Sequence, residues 1–257
     1  MSISLGTGEQ DFEFDTRFLG ERFNVRRIGT DGSTAKAVKL LRHWEGRAAA
    51  IGIGVVRDSY TVGSRRYTEK DSTRMKDVVT RIPVTTGGRL SDILQEWALR
   101  HVQNKLGNYF NNANVLFFSG RTNFKLALAM SEYTQNLRFA DPLLQLGVPK
   151  LLTSLDALEL YTSGAHYVLD WAPSGVMSSA PVKEWTGFVL KKAIQKASVI
   201  VAPVHELDEF ELEELAGKTN VTSTVNDERI ARFRDKGVNM VVDGAPFMFD
   251  HVIGPNL

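Results

Sequence analysis

"NVLFFSGRTNFKLALAMSEYTQNLRFAD", residues 114–141, reads as strand, turn, helix and second strand. The apolar run through Phe118 has strand length, Gly120 stands at its carboxyl end, and LRF leads into an acid at Asp141. This is the order of a dinucleotide-binding unit. There a glycine-rich turn cradles pyrophosphate at a helix N-terminus, and an acid about 20 residues on meets the adenosine ribose. Asp141 lies 21 residues beyond Gly120, at the predicted tip of the second strand. The turn departs from G-x-G-x-x-G: S-G-R-T-N-F-K has one glycine, with Phe124 and Lys125 near the third glycine position. A cofactor would meet Gly120, the N–H groups of Thr122 and Asn123, the charges of Arg121 and Lys125, and Asp141. Two readings stay open: a site for NAD or NADP, or Asp141 as a turn initiator before Pro142.

On the N-terminal side, ISL (3–5), DFEF (11–14), FNVRRI (23–28) and AAAIGIGVV (48–56) have strand patterns. Ala35, Val38, Leu41 and Trp44 recur at helical spacing, VGSRR (62–66) carries a hairpin-like Gly-Ser, and residues 90–110 form a long amphipathic helix with Ser91 as a cap. NNAN (111–114) is the expected internal boundary. On the C-terminal side, residues 142–181 are longer than a normal connection, and so are helical or a functional excursion. SVIVAPV (198–204), TNVTSTV (219–225) and VNMVVDG (238–244) are strands, and residues 226–237 form a helix with Asn226 as cap and Gly237 as stop. Alternating strands and helices imply an α/β protein of two Rossmann-like domains with mainly parallel sheets, residues 1–110 and 111–257. HVIGPNL ends one residue after Asn256, a good helix cap, so the expectation is a truncated chain or one part of a longer polypeptide.

The bulk properties exclude several classes. With 257 residues, 31 basic against 30 acidic, the chain has no global pull toward nucleic acid. No stretch approaches the roughly 18 apolar residues of a bilayer span, and the start, MSISLGTGEQDFEFD, lacks a secretory pattern. The absence of cysteine removes disulfides and thiolate sites and agrees with a cytoplasmic location. Five scattered histidines contain no HExxH, so no metal site is expected.

In parallel sheets, ligands collect where strand carboxyl ends meet helix N-termini. Here those positions read LGTG (5–8), GTDGST (29–34), TTGGR (85–89), SGRTN (119–123), VHE (204–206) and STVND (223–227). In GTDGST, Thr30 and Asp31 are candidates to hydrogen-bond substrate hydroxyls, although Asp31 or Ser33 serves equally as a helix cap. His205, beside Glu206 at a predicted strand end, is the candidate general acid or base. Neither a G-x-S-x-G elbow nor a Walker A loop is present.

LGERFNVRRIGTDGSTAKAVKLLRHWEGRAAAIGIG, RRYTEKD, FADPLLQLGVP, KASVIVAPVHELDEF and LAGKTNVTSTVNDERIARFRDKGVNMVV together resemble bacterial quinate 5-dehydrogenase-like proteins, distantly similar to the shikimate/quinate dehydrogenases. The resemblance implies a substrate domain followed by an NAD(P)-binding domain, with Gly120 and Asp141 as cofactor positions. The family's lysine and aspartate motifs are not found in this sequence. The expected function is an NAD(P)-dependent oxidoreductase of a small polyhydroxylated acid or related carbonyl compound, held between the GTDGST, SGRTN and VHE loops. The rivals are a non-catalytic Rossmann-like ligand-binding or scaffolding domain and a transferase using a nucleotide-linked donor. A small-molecule partner is expected, with no nucleic acid and no membrane, in a larger polypeptide or a homo-oligomer.

Overall fold

A computed structural model describes residues 1–169, 180–207, 212–248 and 250–257. In chain order the elements are β1 (Ser2–Ser4), β2 (Phe12–Phe18), β3 (Glu21–Gly29), α1 (Thr34–Trp44), β4 (Ile51–Gly54), β5 (Ser59–Val62), β6 (Arg65–Thr68), α2 (Lys70–Lys76), β7 (Val84–Thr85) and α3 (Gly88–Lys105). They continue with β8 (Val115–Phe117), α4 (Phe124–Ser131), β9 (Leu137–Phe139), α5 (Asp141–Leu146), α6 (Leu155–Leu169), α7 (Ala180–Lys196), β10 (Val199–Val201) and α8 (Val204–Leu207). The last are β11 (Thr219–Thr222), α9 (Asp227–Asp235), β12 (Met240–Asp243), β13 (Phe247–Met248) and β14 (His251–Val252). The chain is an α/β protein with mainly parallel sheets.

Two compact units form, and their division differs from a single cut near residue 110. The first comprises Met1–Ser59, Tyr67–Leu94 and Ala245–Leu257; the second comprises Tyr60–Arg66 and Gln95–Gly244. In the first, the strand order is β2-β3-β1-β4-β7, with β2 antiparallel to β3 and the remaining pairs parallel. Ile3, Ile51 and Ile53 pack with Ala37 and Leu41 of α1 and Met75 of α2, a core in which each large side chain contributes about 1.5–3 kcal/mol. Helix α1 starts where Ser33 accepts the Lys36 N–H at 3.2 Å. The terminal segment belongs to this unit: the Asn256 side chain donates to Ser2 Oγ at 2.9 Å, and a Cβ at Gly52 would overlap the Asn256 carbonyl.

In the second unit the order is β12-β11-β10-β8-β9, and every pair is parallel. Counted within the unit this is 5-4-3-1-2, one of the two common doubly wound orders. Runs such as Val115–Phe117 and Val199–Val201 are buried throughout, as a sheet covered on both faces requires. Leu116, Phe118 and Ile200 pack with Leu190 and Ile194 of α7 and Phe233 of α9. The Asn226 side chain accepts the Arg229 N–H at 3.0 Å and caps α9, and Gly237 follows that helix at φ +74°. The long segment after Pro142 carries the helices α5, α6 and α7, and between α5 and α6 residues 147–154 run without helix, with Leu152 bridged to Phe139; residues 170–179 lie outside the described residues.

Candidate functional site

From β8 the chain runs right to β9, then crosses back so that β10 lies on the other side of β8. The switch point therefore falls between the carboxyl ends of β8 and β10, where an open parallel sheet has its ligand crevice. Ser119 follows β8, Glu206 lies in α8 after β10, and the Ser119 hydroxyl donates to Glu206 Oε1 at 3.1 Å. The sequence placed both residues at strand ends without pairing them, because they are 87 residues apart.

The turn between β8 and α4 is closed on itself. The Ser119 carbonyl accepts from the Asn123 amide N–H at 3.2 Å, from Thr122 Oγ1 at 3.2 Å and from Asn123 Nδ2 at 2.8 Å. Glycine is required at 120 by close approach: a Cβ there would overlap the Phe139 ring and lie 3.0 Å from both Asp141 and Leu158. On that side the Gly120 backbone is packed directly against neighbouring side chains.

Asp141 lies at the tip of β9 and starts α5. It is fully buried, and its carboxylate accepts the Gly120 N–H at 2.8 Å and the Arg121 N–H at 2.9 Å. Two consecutive amides aimed at one carboxylate form the kind of nest that elsewhere holds an anion. Here the anion is the chain's own. Each carboxylate oxygen accepts one of these bonds, and the whole group is shielded from solvent. Burial pushes the Asp141 carboxyl up to about 6, against the lowering effect of those two amides and the Arg121 charge.

The Arg121 guanidinium lies over the Tyr60 ring, 5.2 Å from the centroid, and its Nε is buried without a hydrogen-bond partner among the described residues. The Tyr161 hydroxyl donates to Gln145 Oε1 at 3.1 Å and to the Asp141 carbonyl at 3.4 Å. Burial, then the Asp141 charge, holds that phenol well above its ordinary range. Tyr60 and Tyr161 carried no signal in the sequence, since neither stands at the end of a sheet strand. Lys125 is exposed on the first turn of α4. His205 is in α8, and its side chain lies outside the described residues.

In the first unit, Thr30 is fully buried; its hydroxyl donates to the Ser4 carbonyl at 3.1 Å, and its N–H is shared between the Ser4 and Gly6 carbonyls. The Thr30 hydroxyl thus ties β1 to the carboxyl end of β3. Asp31, at φ +51°, accepts the Gly8 N–H at 3.0 Å and lies 3.6 Å from Lys36. Ser33, not Asp31, caps α1. Among the described residues no group of three or more histidine or carboxylate side chains is placed to hold a metal, and no helix is long and apolar enough to cross a membrane.

The fold and the site define a doubly wound α/β unit with a topological switch point between β8 and β10 and a turn whose backbone N–H groups are taken by the chain's own carboxylate. The chain belongs to the family described as "Domain of unknown function (DUF8754)", whose model matches residues 89–257, and "Domain of unknown function (DUF8753)" matches residues 1–86. No curated protein matches the chain. Among solved structures it is similar to an NAD-dependent malic enzyme from Thermotoga maritima, at TM-score 0.38 and 11% identity over 88% of this chain. It is also similar to an aspartate transcarbamoylase from Trypanosoma cruzi, at TM-score 0.26 and 10% identity over 86% of this chain. The chain spans 56% of the malic enzyme chain and 62% of that transcarbamoylase chain.

Proposed function

We propose that the protein is a Rossmann-like ligand-binding protein whose second unit takes a small polyhydroxylated molecule at the switch point. In this reading Ser119 and Glu206 make the polar contacts, and the turn after β8 is not a pyrophosphate site. The observation that carries it is the Asp141 carboxylate on the Gly120 and Arg121 amides. A tethered, buried carboxylate in that nest competes with any phosphate at high effective concentration. Glu206 accepts a hydroxyl already, which is the chemistry a polyol needs from a carboxylate.

The rival reading is the NAD(P)-dependent oxidoreductase. What favours it is the β8–α4–β9 order with an acid at the second strand tip, together with the resemblance to quinate 5-dehydrogenase-like proteins. Mass spectrometry of the gently denatured protein, paired with thermal unfolding in millimolar NAD, NADP and their reduced forms, separates the two. The ligand-binding reading expects no dinucleotide in the spectrum and no shift in Tm. Binding at 100 times Kd would add about 2.7 kcal/mol, so a copurified dinucleotide or a cofactor-dependent rise of several degrees establishes the rival instead.

A further inference from the structure

Strand β2 is the edge of the first unit's sheet; among the described residues β3 is its only strand neighbour. It is seven residues long, and its tip exposes apolar surface: Leu19 is 88% exposed, Phe18 47% and Phe23 41%. A long, aromatic edge of this kind is a template for another strand. The charged face of the hairpin indicates which strand fits. Glu13 faces Arg26 and pairs with it at 3.0 Å, and Asp15 faces Asn24, which donates to it at 2.9 Å. Arg17, in contrast, faces Arg22. Like charges directly opposite each other destabilise a sheet, so this pair is improved by an acid arriving on the open side.

We propose that two copies of this chain pair β2 against β2, antiparallel across a two-fold axis at Thr16, and so join their first-unit sheets into one. A two-fold normal to the sheet keeps the odd-numbered residues on one face in both copies. Centring on Thr16 sets Thr16 against the partner's Thr16, Phe18 against the partner's Phe14, and Arg17 against the partner's Asp15. All three are favourable cross-strand pairs, and the third supplies the acid that the Arg17–Arg22 pair lacks. The neighbouring registers are rejected by charge. Centring on Phe14 sets Glu13 against the partner's Asp15, centring on Asp15 sets that acid against its own copy, and centring on Arg17 does the same with a base. The charges that block indiscriminate edge pairing thus select one register.

Sedimentation velocity over a dilution series tests this with three proteins: wild type, R17D and the swap D15R/R17D. The expectation is a wild-type dimer, a dimer weakened about tenfold or more by R17D, and a dimer restored by the swap. R17D sets an acid opposite Arg22 within the same hairpin, so the fold gains while the pairing loses. T16K, which places two ammonium groups on the axis, is the second variant and is expected to dissociate the dimer. A wild-type monomer throughout the series overturns the proposal, as does a dimer indifferent to R17D and T16K. Failure of the swap to restore what R17D removes overturns the register.

Discussion

The turn after β8 and the turn after β11 are held by the same device at different depths. In each, an aspartate at the carboxyl end of the neighbouring strand accepts two consecutive backbone N–H groups. Asp141 takes those of Gly120 and Arg121; Asp243 takes those of Thr224 and Val225 at 2.9 and 2.8 Å. Asp141 is fully buried, whereas Asp243 is half-buried. The β8 turn fits under its neighbours because residue 120 has no side chain, while the β11 turn bends through a left-handed threonine, Thr224 at φ +63°. A strand-end nest need not mark a ligand site, since the chain fills two of them with its own carboxylates. Depth decides the energetics, because an ionised group loses hydration in proportion to its burial.

The comparison breaks most sharply at Gly120. Gly120→Ala drives a methyl into the Phe139 ring with Asp141 and Leu158 closing the other sides, an overpacking expected to cost about 3 kcal/mol or more. Urea unfolding should show the midpoint falling with the slope unchanged. A mild effect would mean that the turn relaxes as freely as its β11 counterpart.

A pH series separates the two aspartates next. The folded Asp141 carboxyl, at about 6, lies above its ordinary value of 3.8, so the folded chain holds that proton more tightly than the unfolded one. The stability this adds is fully present below about pH 4 and is lost as pH rises through about 6, amounting to about 3 kcal/mol over the window. The unfolding free energy of wild type minus that of D141N should therefore fall by that amount from pH 4 to neutrality. A flat difference would remove the depth argument.

Removing each acceptor outright gives a smaller contrast. Asp141→Ala leaves two turn amides without an acceptor in a sealed site and should cost about 2–3 kcal/mol; Asp243→Ala, where water can substitute, should cost about 1 kcal/mol. Equal losses in chemical denaturation would show that burial does not set the value of this clamp.

The strand, the glycine, the helix and the acid of the β8 unit were legible because each rests on local pattern: an apolar run, a turn residue, helical spacing, 21 residues to Asp141. The same locality gave the Asn226 cap. Burial of Asp141 was not legible, since spacing says where an acid sits along the chain and not whether Tyr161 and Leu158, from a helix beginning 14 residues later, cover it. The bond made by the Thr30 hydroxyl was not legible for the same reason, as its partner carbonyl is 26 residues away. The β2–β3 hairpin is not legible as one because its turn is Leu19–Gly20, with Leu19 at φ +50°, and not the Asn-Gly or Asp-Gly that signals a tight hairpin. Assignment of residues 245–257 to the first unit depends on Asn256 reaching Ser2, a contact spanning 254 positions.

The smallest expected effect has the opposite sign and probes the β11 turn alone. Thr224 holds a left-handed backbone, a conformation that a β-branched residue adopts only under strain. Its N–H already serves Asp243, and glycine would keep that bond. Thr224→Gly therefore removes strain of about 1–3 kcal/mol and gives back about 0.5–1 kcal/mol in unfolded-state freedom. The net gain is about 1 kcal/mol, or about 3 °C in Tm for a chain of this size. The β8 turn cannot show this response, because its glycine answers to packing and not to φ. A fall in Tm for Thr224→Gly would instead assign the threonine side chain a hold on its surroundings that outweighs the strain, and the two turns would then differ in what their side chains grip as well as in how deeply their carboxylates are buried.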